Sequence, residues 1–223
     1  MKKRILLMAL AIGLVFALAG CVGLGGGGSI RGEGPMVLHT VDAANFTGID
    51  VGGAYDITWI YSPTFNVTFE MQQNLWDLVE TNVSNSVLVI SQRSGFTVNG
   101  GNTPRLRIYA PYIDSIVLSG AAYITGWDAL DQESMYIRIS GAADIALTGS
   151  VEHLNINSSG ASNVNLFELA ASHAVINVSG ASHVEVYAAN TLDVTLSGVG
   201  TIIYDGNPAL TRNVSGLGVV RAR

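Results

Sequence analysis

Apolar and polar residues alternate through the second half of the chain in short runs, and each run closes on a Ser-Gly pair. The pairs are Ser119-Gly120, Ser140-Gly141, Ser159-Gly160, Ser179-Gly180, Ser197-Gly198 and Ser215-Gly216, spaced 21, 19, 20, 18 and 18 residues apart. A repeat near twenty residues is the mark of a solenoid, in which each repeat is one coil stacked on the last. One residue before each serine stand Leu118, Ile139, Ser158, Val178, Leu196 and Val214, and two residues further back Ile116, Ile137, Ile156, Ile176, Val194 and Arg212. Val117, Arg138, Asn157, Asn177, Thr195 and Asn213 lie between them. Period-two alternation of this kind is a half-buried strand.

After each glycine the alternation resumes. Ile124, Ile145, Val164, Val184 and Ile202 form one inward column, and Gly126, Leu147, Leu166, Val186 and Tyr204 a second. The outward columns are Tyr123, Asp144, Asn163, His183, Thr201 and Thr125, Ala146, Asn165, Glu185, Ile203. The pattern predicts two strands per coil, joined by Ser-Gly at one corner and by a variable loop at the other, with rungs about 4.8 Å apart. Glycine at the corner is expected to supply φ > 0, and serine a hydrogen bond locally or to the serine of the next coil. Parallel crossovers are right-handed. The expected fold is therefore all-β: a single-stranded, right-handed parallel β-helix of 18–21 residues per coil over residues 37–223.

The first half is less regular. Phe46 to Val51 and Gly53 to Ile60 read as an early coil, since Gly53-Ala54-x-Asp56-Ile57 repeats Gly141-Ala142-x-Asp144-Ile145. Asn66 to Met71 alternates as a strand, and Gln72 to Val79 reads as a short helix or turn that helps to cap the open strand edges. Ser94 to Thr103, rich in glycine and asparagine, reads as a mobile loop.

Lys2, Lys3 and Arg4 precede an apolar run from Ile5 to Ala19, the layout of a secretory signal over residues 1–20. Leu18-Ala19-Gly20-Cys21 resembles the lipobox of bacterial lipoproteins, and Cys21, the only cysteine, is the candidate lipidation site. Residues 21–36, glycine-rich, then read as a tether. The expected chain is secreted across the cytoplasmic membrane and held in the cell envelope or at the cell surface by a lipid on Cys21, without spanning the membrane. After residue 20 the chain carries eight arginines, no lysine and seventeen acids. That balance argues against nucleic acid or a basic lipid-binding patch.

Candidate chemistry is sparse. Tyr123, Asp144, Asn163 and His183 share one outward column, with Glu185 two residues from His183 on the same face. Stacking would line up a carboxylate, an amide and an imidazole, either as a weak cation site or as a solvated outer face, and no metal is assigned. His153 and His173 fall one coil apart and suggest a metal- or pH-sensitive pair or exposed corner residues. His39 suggests nothing. Asn45, Asn66, Asn82, Asn157, Asn177 and Asn213 open Asn-x-Ser/Thr triplets, better read as a stacked amide ladder than as glycan acceptors. Tyr123, Trp127, Tyr136, Tyr187 and Tyr204 are the aromatics that could meet a sugar ring. No Gly-x-Ser-x-Gly elbow occurs, so no catalytic residue is assigned.

The unit Ser-Gly-Ala-x-x-Ile/Val, the run Leu106 to Pro111 leading into Ile116 to Gly120, and Val87 to Ile90 together resemble the bacterial "putative auto-transporter adhesin, head GIN domain" family over about residues 40–223. The resemblance implies a parallel β-helix in secreted or lipid-anchored proteins and brings no catalytic residues with it. The expected function is a non-catalytic envelope module for adhesion or for binding a glycan or protein, without a cofactor. Alternatives are a polysaccharide-active β-helix enzyme, disfavoured by the absence of lysine and of adjacent outward carboxylates, and an envelope assembly or signalling subunit. The last repeat carries no evident cap, so a homo-oligomer through strand edges is also expected.

Overall fold

The computed structural model describes residues 28–124 and 129–223. Cys21, Thr125, Gly126 and Trp127 lie outside the described residues. The first half contains β1 (Gly28–Ile30), β2 (Met36–Val41), β3 (Gly48–Val51), β4 (Ala54–Tyr61) and β5 (Asn66–Gln72). After α1 (Gln73–Trp76) come β6 (Val79–Ser84), β7 (Val87–Gln92), β8 (Phe96–Val98) and β9 (Arg105–Ala110). The regular part comprises β10 (Ser115–Leu118), β11 (Ala121–Ile124), β12 (Leu130–Ile139), β13 (Ala142–Ala146) and β14 (Gly149–Ser158). It continues through β15 (Ala161–Val178), β16 (Ala181–Leu196), β17 (Val199–Asp205), β18 (Ala209–Val214) and β19 (Leu217–Ala222).

The regular part is the expected parallel solenoid. Ser115 pairs with Tyr136, Tyr136 with Asn155, Asn155 with Val175, Val175 with Asp193 and Asp193 with Thr211, so the pairing register follows the Ser-Gly spacing. The second ladder runs in the same way, from Ala121 through Ala142, Ala161, Ala181 and Val199 to Leu217. The described residues of the inward columns are buried as the alternation requires, apart from the half-buried Tyr204 and the last rung, where Arg212 and Val214 are exposed; Ile203, expected to face outward, is buried. Burying an aliphatic side chain contributes roughly 1.5–3 kcal/mol, and this repeated gain drives the stack.

Three features depart from the sequence reading. First, the variable corner is a third short ladder. Leu130, Asp131 and Gln132 pair with Gly149, Ser150 and Val151, which pair with Leu169, Ala170 and Ala171. The inward alternation breaks at Phe167-Glu168 and again at Ser172-His173, so β15 bends through the corner as one strand with two register shifts.

Second, the corner glycines are not chosen for φ > 0. None of the six lies in the left-handed region, unlike Gly53, Gly149 and Gly206. What they lack is room. A Cβ on Gly141 would collide with the carbonyl oxygen of Gly120, and one on Gly160 with that of Gly141. That oxygen also accepts the amide of the next coil, with Ala142 N donating to Gly120 O at 2.9 Å and Ala161 N to Gly141 O at 3.0 Å. The serines align by backbone bonds, such as Ser140 N to Leu118 O at 2.9 Å, and not by bonding one another.

Third, the early coil is interleaved. β3 pairs with β7 on one side and with β10 on the other, while β4 lies between β9 and β11. The chain therefore lays down β3 and β4, builds the rung beneath them, and crosses back above to begin β10. Beneath that lower rung the edges are closed by antiparallel strands, β6 on β7 and β5 on β9 with β2 outside β5. α1 adds Leu75 to the core, and Trp76 packs 5.5 Å from Phe69 and stacks on His39 at 4.4 Å. The last glycine-rich residues before the body form β1, which pairs with β8 inside the loop Ser94 to Thr103.

Ser158 occupies an inward position otherwise held by Leu, Ile or Val. Its hydroxyl meets Ser162 and Ser182, and the three oxygens are each 2.9 Å from the other two. Three hydroxyls that could not reach water satisfy one another inside the core.

Candidate functional site

The outward row is assembled on the second ladder by register. Tyr123 pairs with Asp144, Asp144 with Asn163 and Asn163 with His183, and the row continues to Thr201 above and Asp56 below. Tyr123, 51% exposed, stands clear of the surface, and Asp144 and Asn163 are exposed beside it. Glu185, two residues along β16, turns to His183, with Oε1 3.2 Å from Nε2. The sequence-derived residues therefore share one face, and strands about 4.8 Å apart present them as a flat strip. Among the described residues, no group of three or more His, Cys, Asp or Glu is arranged to hold a metal ion.

The corner histidines also meet. The rings of His153 and His173 lie 5.4 Å apart and 23° from parallel. Nδ1 of His173 is 2.8 Å from the Thr191 hydroxyl, and its Nε2 is 3.7 Å from Glu152, which accepts a bond from Ser172. These partners fix the ring in place. Of the other aromatics, Tyr136 and Tyr187 are half-buried in their strands and Tyr204 packs against the core, so Tyr123 is the described one that projects.

A second polar surface lies on the first ladder, and its parts were legible only as separate columns. Arg138, Asn157, Asn177 and Thr195 line a groove of about 270 Å³, with Ser159, Ser179 and Ser197 along its Ser-Gly edge. Asn177 Nδ2 donates to Asn157 Oδ1 at 3.1 Å, and Asn157 Nδ2 to Asn155 Oδ1 at 2.6 Å, so the asparagines form the expected ladder. Arg138 makes no ion pair among the described residues and offers its donors to the groove. A fork of donors beside stacked amides and hydroxyls suits hydroxyl-rich or peptide-like ligands.

The final rung carries the most exposed large apolar side chain among the described residues, Leu217. Leu217 is 83% exposed and Val219 53%, and β18 and β19 have no partner on their outer side among the described residues. No helix among the described residues is long and apolar enough to cross a membrane.

A family model described as "Putative auto-transporter adhesin, head GIN domain" matches residues 45–208. The structure resembles a "putative adhesin" from Bacteroides fragilis with TM-score 0.69 and 18% identity, covering 87% of this chain and 100% of that one. It also resembles "putative adhesins" from Parabacteroides merdae (TM-score 0.56, 16% identity, 87% and 99% covered) and Parabacteroides distasonis (0.51, 19%, 87% and 100%). At these identities the likeness carries the fold alone. No protein of curated function matches the sequence.

Proposed function

We propose, for a chain that belongs to the "Putative auto-transporter adhesin, head GIN domain" family, that it is a non-catalytic binding module of the cell envelope that holds a glycan or protein ligand on its outward ladders. The observation that carries this reading is the in-register row Tyr123, Asp144, Asn163 and His183, matched on the other ladder by the groove at Arg138, Asn157 and Asn177. A rigid stack holds these side chains at fixed spacing, so a repeating ligand meets equivalent contacts without ordering a loop. An adhesin-type family is one of cell-surface or envelope proteins, which supports the location. We assign the anchor to a lipid on Cys21. The exposed Leu217 and Val219 favour edge pairing with a second copy.

A glycan array probed with the full chain, run beside an assay for new reducing ends, tests the reading. Saturable binding weakened by Arg138→Ala, Asn177→Ala or Tyr123→Ala, without release of sugar ends, is the expected result. Turnover of a polysaccharide would replace the binding module with an enzyme. Mass spectrometry of the protein recovered from membranes tests the anchor, and the expected diacylglycerol adduct should vanish in Cys21→Ser.

A further inference from the structure

β1 and β8 form a two-stranded ribbon that is not part of the main sheet. The ribbon is tied to the capped end at several points. Asn74 Nδ2 of α1 donates to Arg31 O at 2.7 Å and Gln92 Nε2 of β7 to Phe96 O at 3.2 Å, while Gly32 N donating to Gly100 O at 3.1 Å extends the ribbon itself. Beneath it lies a cavity of about 330 Å³, walled by Tyr55, Met71, Leu75 and Ala121 and roofed by Phe96 and Val98.

The wall chemistry narrows the occupant. No charged side chain lines the cavity, and its polar groups are the neutral amides and hydroxyls of Gln92, Asn102, Thr97 and Tyr55. Tyr55 is 5% exposed and sets its ring and hydroxyl in the cavity wall. The volume is about twice the roughly 150 Å³ that encloses one benzene, which suits a slim chain of roughly ten carbons. Phe96 and Val98 remain about 40% exposed, so the roof presents apolar surface that a ligand would cover.

We propose that this cavity binds the hydrocarbon chain of an uncharged single-chain amphiphile, clasped between the β1–β8 ribbon and the corner at Ala54 and Ala121, with the Tyr55 hydroxyl bonding a neutral polar atom of the ligand. An apolar chain satisfies the walls, and an uncharged head avoids placing a charge against a surface that has no counter-ion. The site is independent of the outward ladders, so either can fail while the other stands.

The test uses the full chain carrying Cys21→Ser, so that no attached acyl group competes, titrated calorimetrically with monoacylglycerols of increasing chain length. One-to-one saturable binding is expected, gaining affinity up to about ten carbons and little beyond. Ala121→Phe, at a position already exposed on the cavity wall, should weaken binding more than tenfold with Tm unchanged. Tyr55→Phe should weaken it about fivefold, the loss of one hydrogen bond. No binding, affinity that climbs steadily with every added methylene, or equal binding by Ala121→Phe would each overturn the proposal.

Discussion

The two ends of the stack solve the same problem in opposite ways. At the first end the parallel rung of β7 and β9 is closed by antiparallel neighbours, and its interior is sealed by Phe69, Trp76 and Leu75, with Tyr55 5.9 Å from the Phe69 ring. At the last described rung, β18 and β19 each pair on one side, and Val214, Leu217 and Val219 are exposed. A solenoid is held by nearest-neighbour contacts. The interior coils and the cap should therefore unfold together, while the last rung should peel alone.

The strongest way to break that contrast is one substitution made at two corners. Gly160→Val and Gly216→Val each drive a side chain into the carbonyl of the glycine one coil below. In the interior the clash splits the stack, and a loss above about 4 kcal/mol, or failure to fold, is expected in urea melts. At the last corner the loss is capped by the small stability of that rung, and amide exchange in β18 and β19 should rise with little change in the global midpoint.

Core truncation sharpens the same comparison. Phe69→Ala at the sealed end should cost about 3–5 kcal/mol, and Val220→Ala near the open end about 1 kcal/mol, because the last rung has fewer neighbours and relaxes around the gap. Equal losses would mean that both ends are sealed alike.

Alkaline pH provides a third contrast. Burial pushes the Tyr55 pKa from its ordinary value of 10.0 up to about 12. The folded state therefore keeps a proton that the unfolded chain releases. This contribution is fully present below pH 10.0 and is lost as pH rises from there to about 12, amounting to about 2–3 kcal/mol. Tyr55→Phe should flatten that part of the stability profile, measured by urea melts between pH 9 and 12. A profile unchanged by the substitution would mean that the ring is wetter than its packing suggests.

The smallest effect is expected in the serine triangle. Ser158→Ala leaves Ser162 and Ser182 bonded to each other, so a loss of about 1 kcal/mol is expected. Ser158→Val should recover part of it, since its neighbours along the column are aliphatic.

The regular coils were legible because inward residues recur with period two and the corner pair recurs with period twenty. Those two rhythms located the register, the buried columns and the outward row through Tyr123, Asp144, Asn163 and His183. The reason for glycine was not legible, since a residue needed for close stacking looks the same in sequence as one needed for positive φ. The third ladder was hidden because the bends beside it interrupt the alternation and two of its inward residues, Ala171 and Ala188, are small. The interleaved first half carries no Ser-Gly marker on β7 or β9, so nothing in the order of residues signals that they lie beneath β3 and β4. The groove at Arg138 was visible only as a mostly polar column, because a concave surface depends on how neighbouring rungs offset.

That interleaving is the central claim, and crosslinking tests it most directly. In a Cys21→Ser chain, cysteines replacing Asp50 and Val117 should form a disulfide, as should cysteines replacing Asp50 and Val89, because each pair is in register on adjacent rungs. Cα atoms about 4.8 Å apart fall within disulfide reach. Cysteines replacing Val89 and Val117, two rungs apart, should not join. Efficient joining of that last pair, with none between Asp50 and Val117, would place the strands in simple chain order and contradict the account.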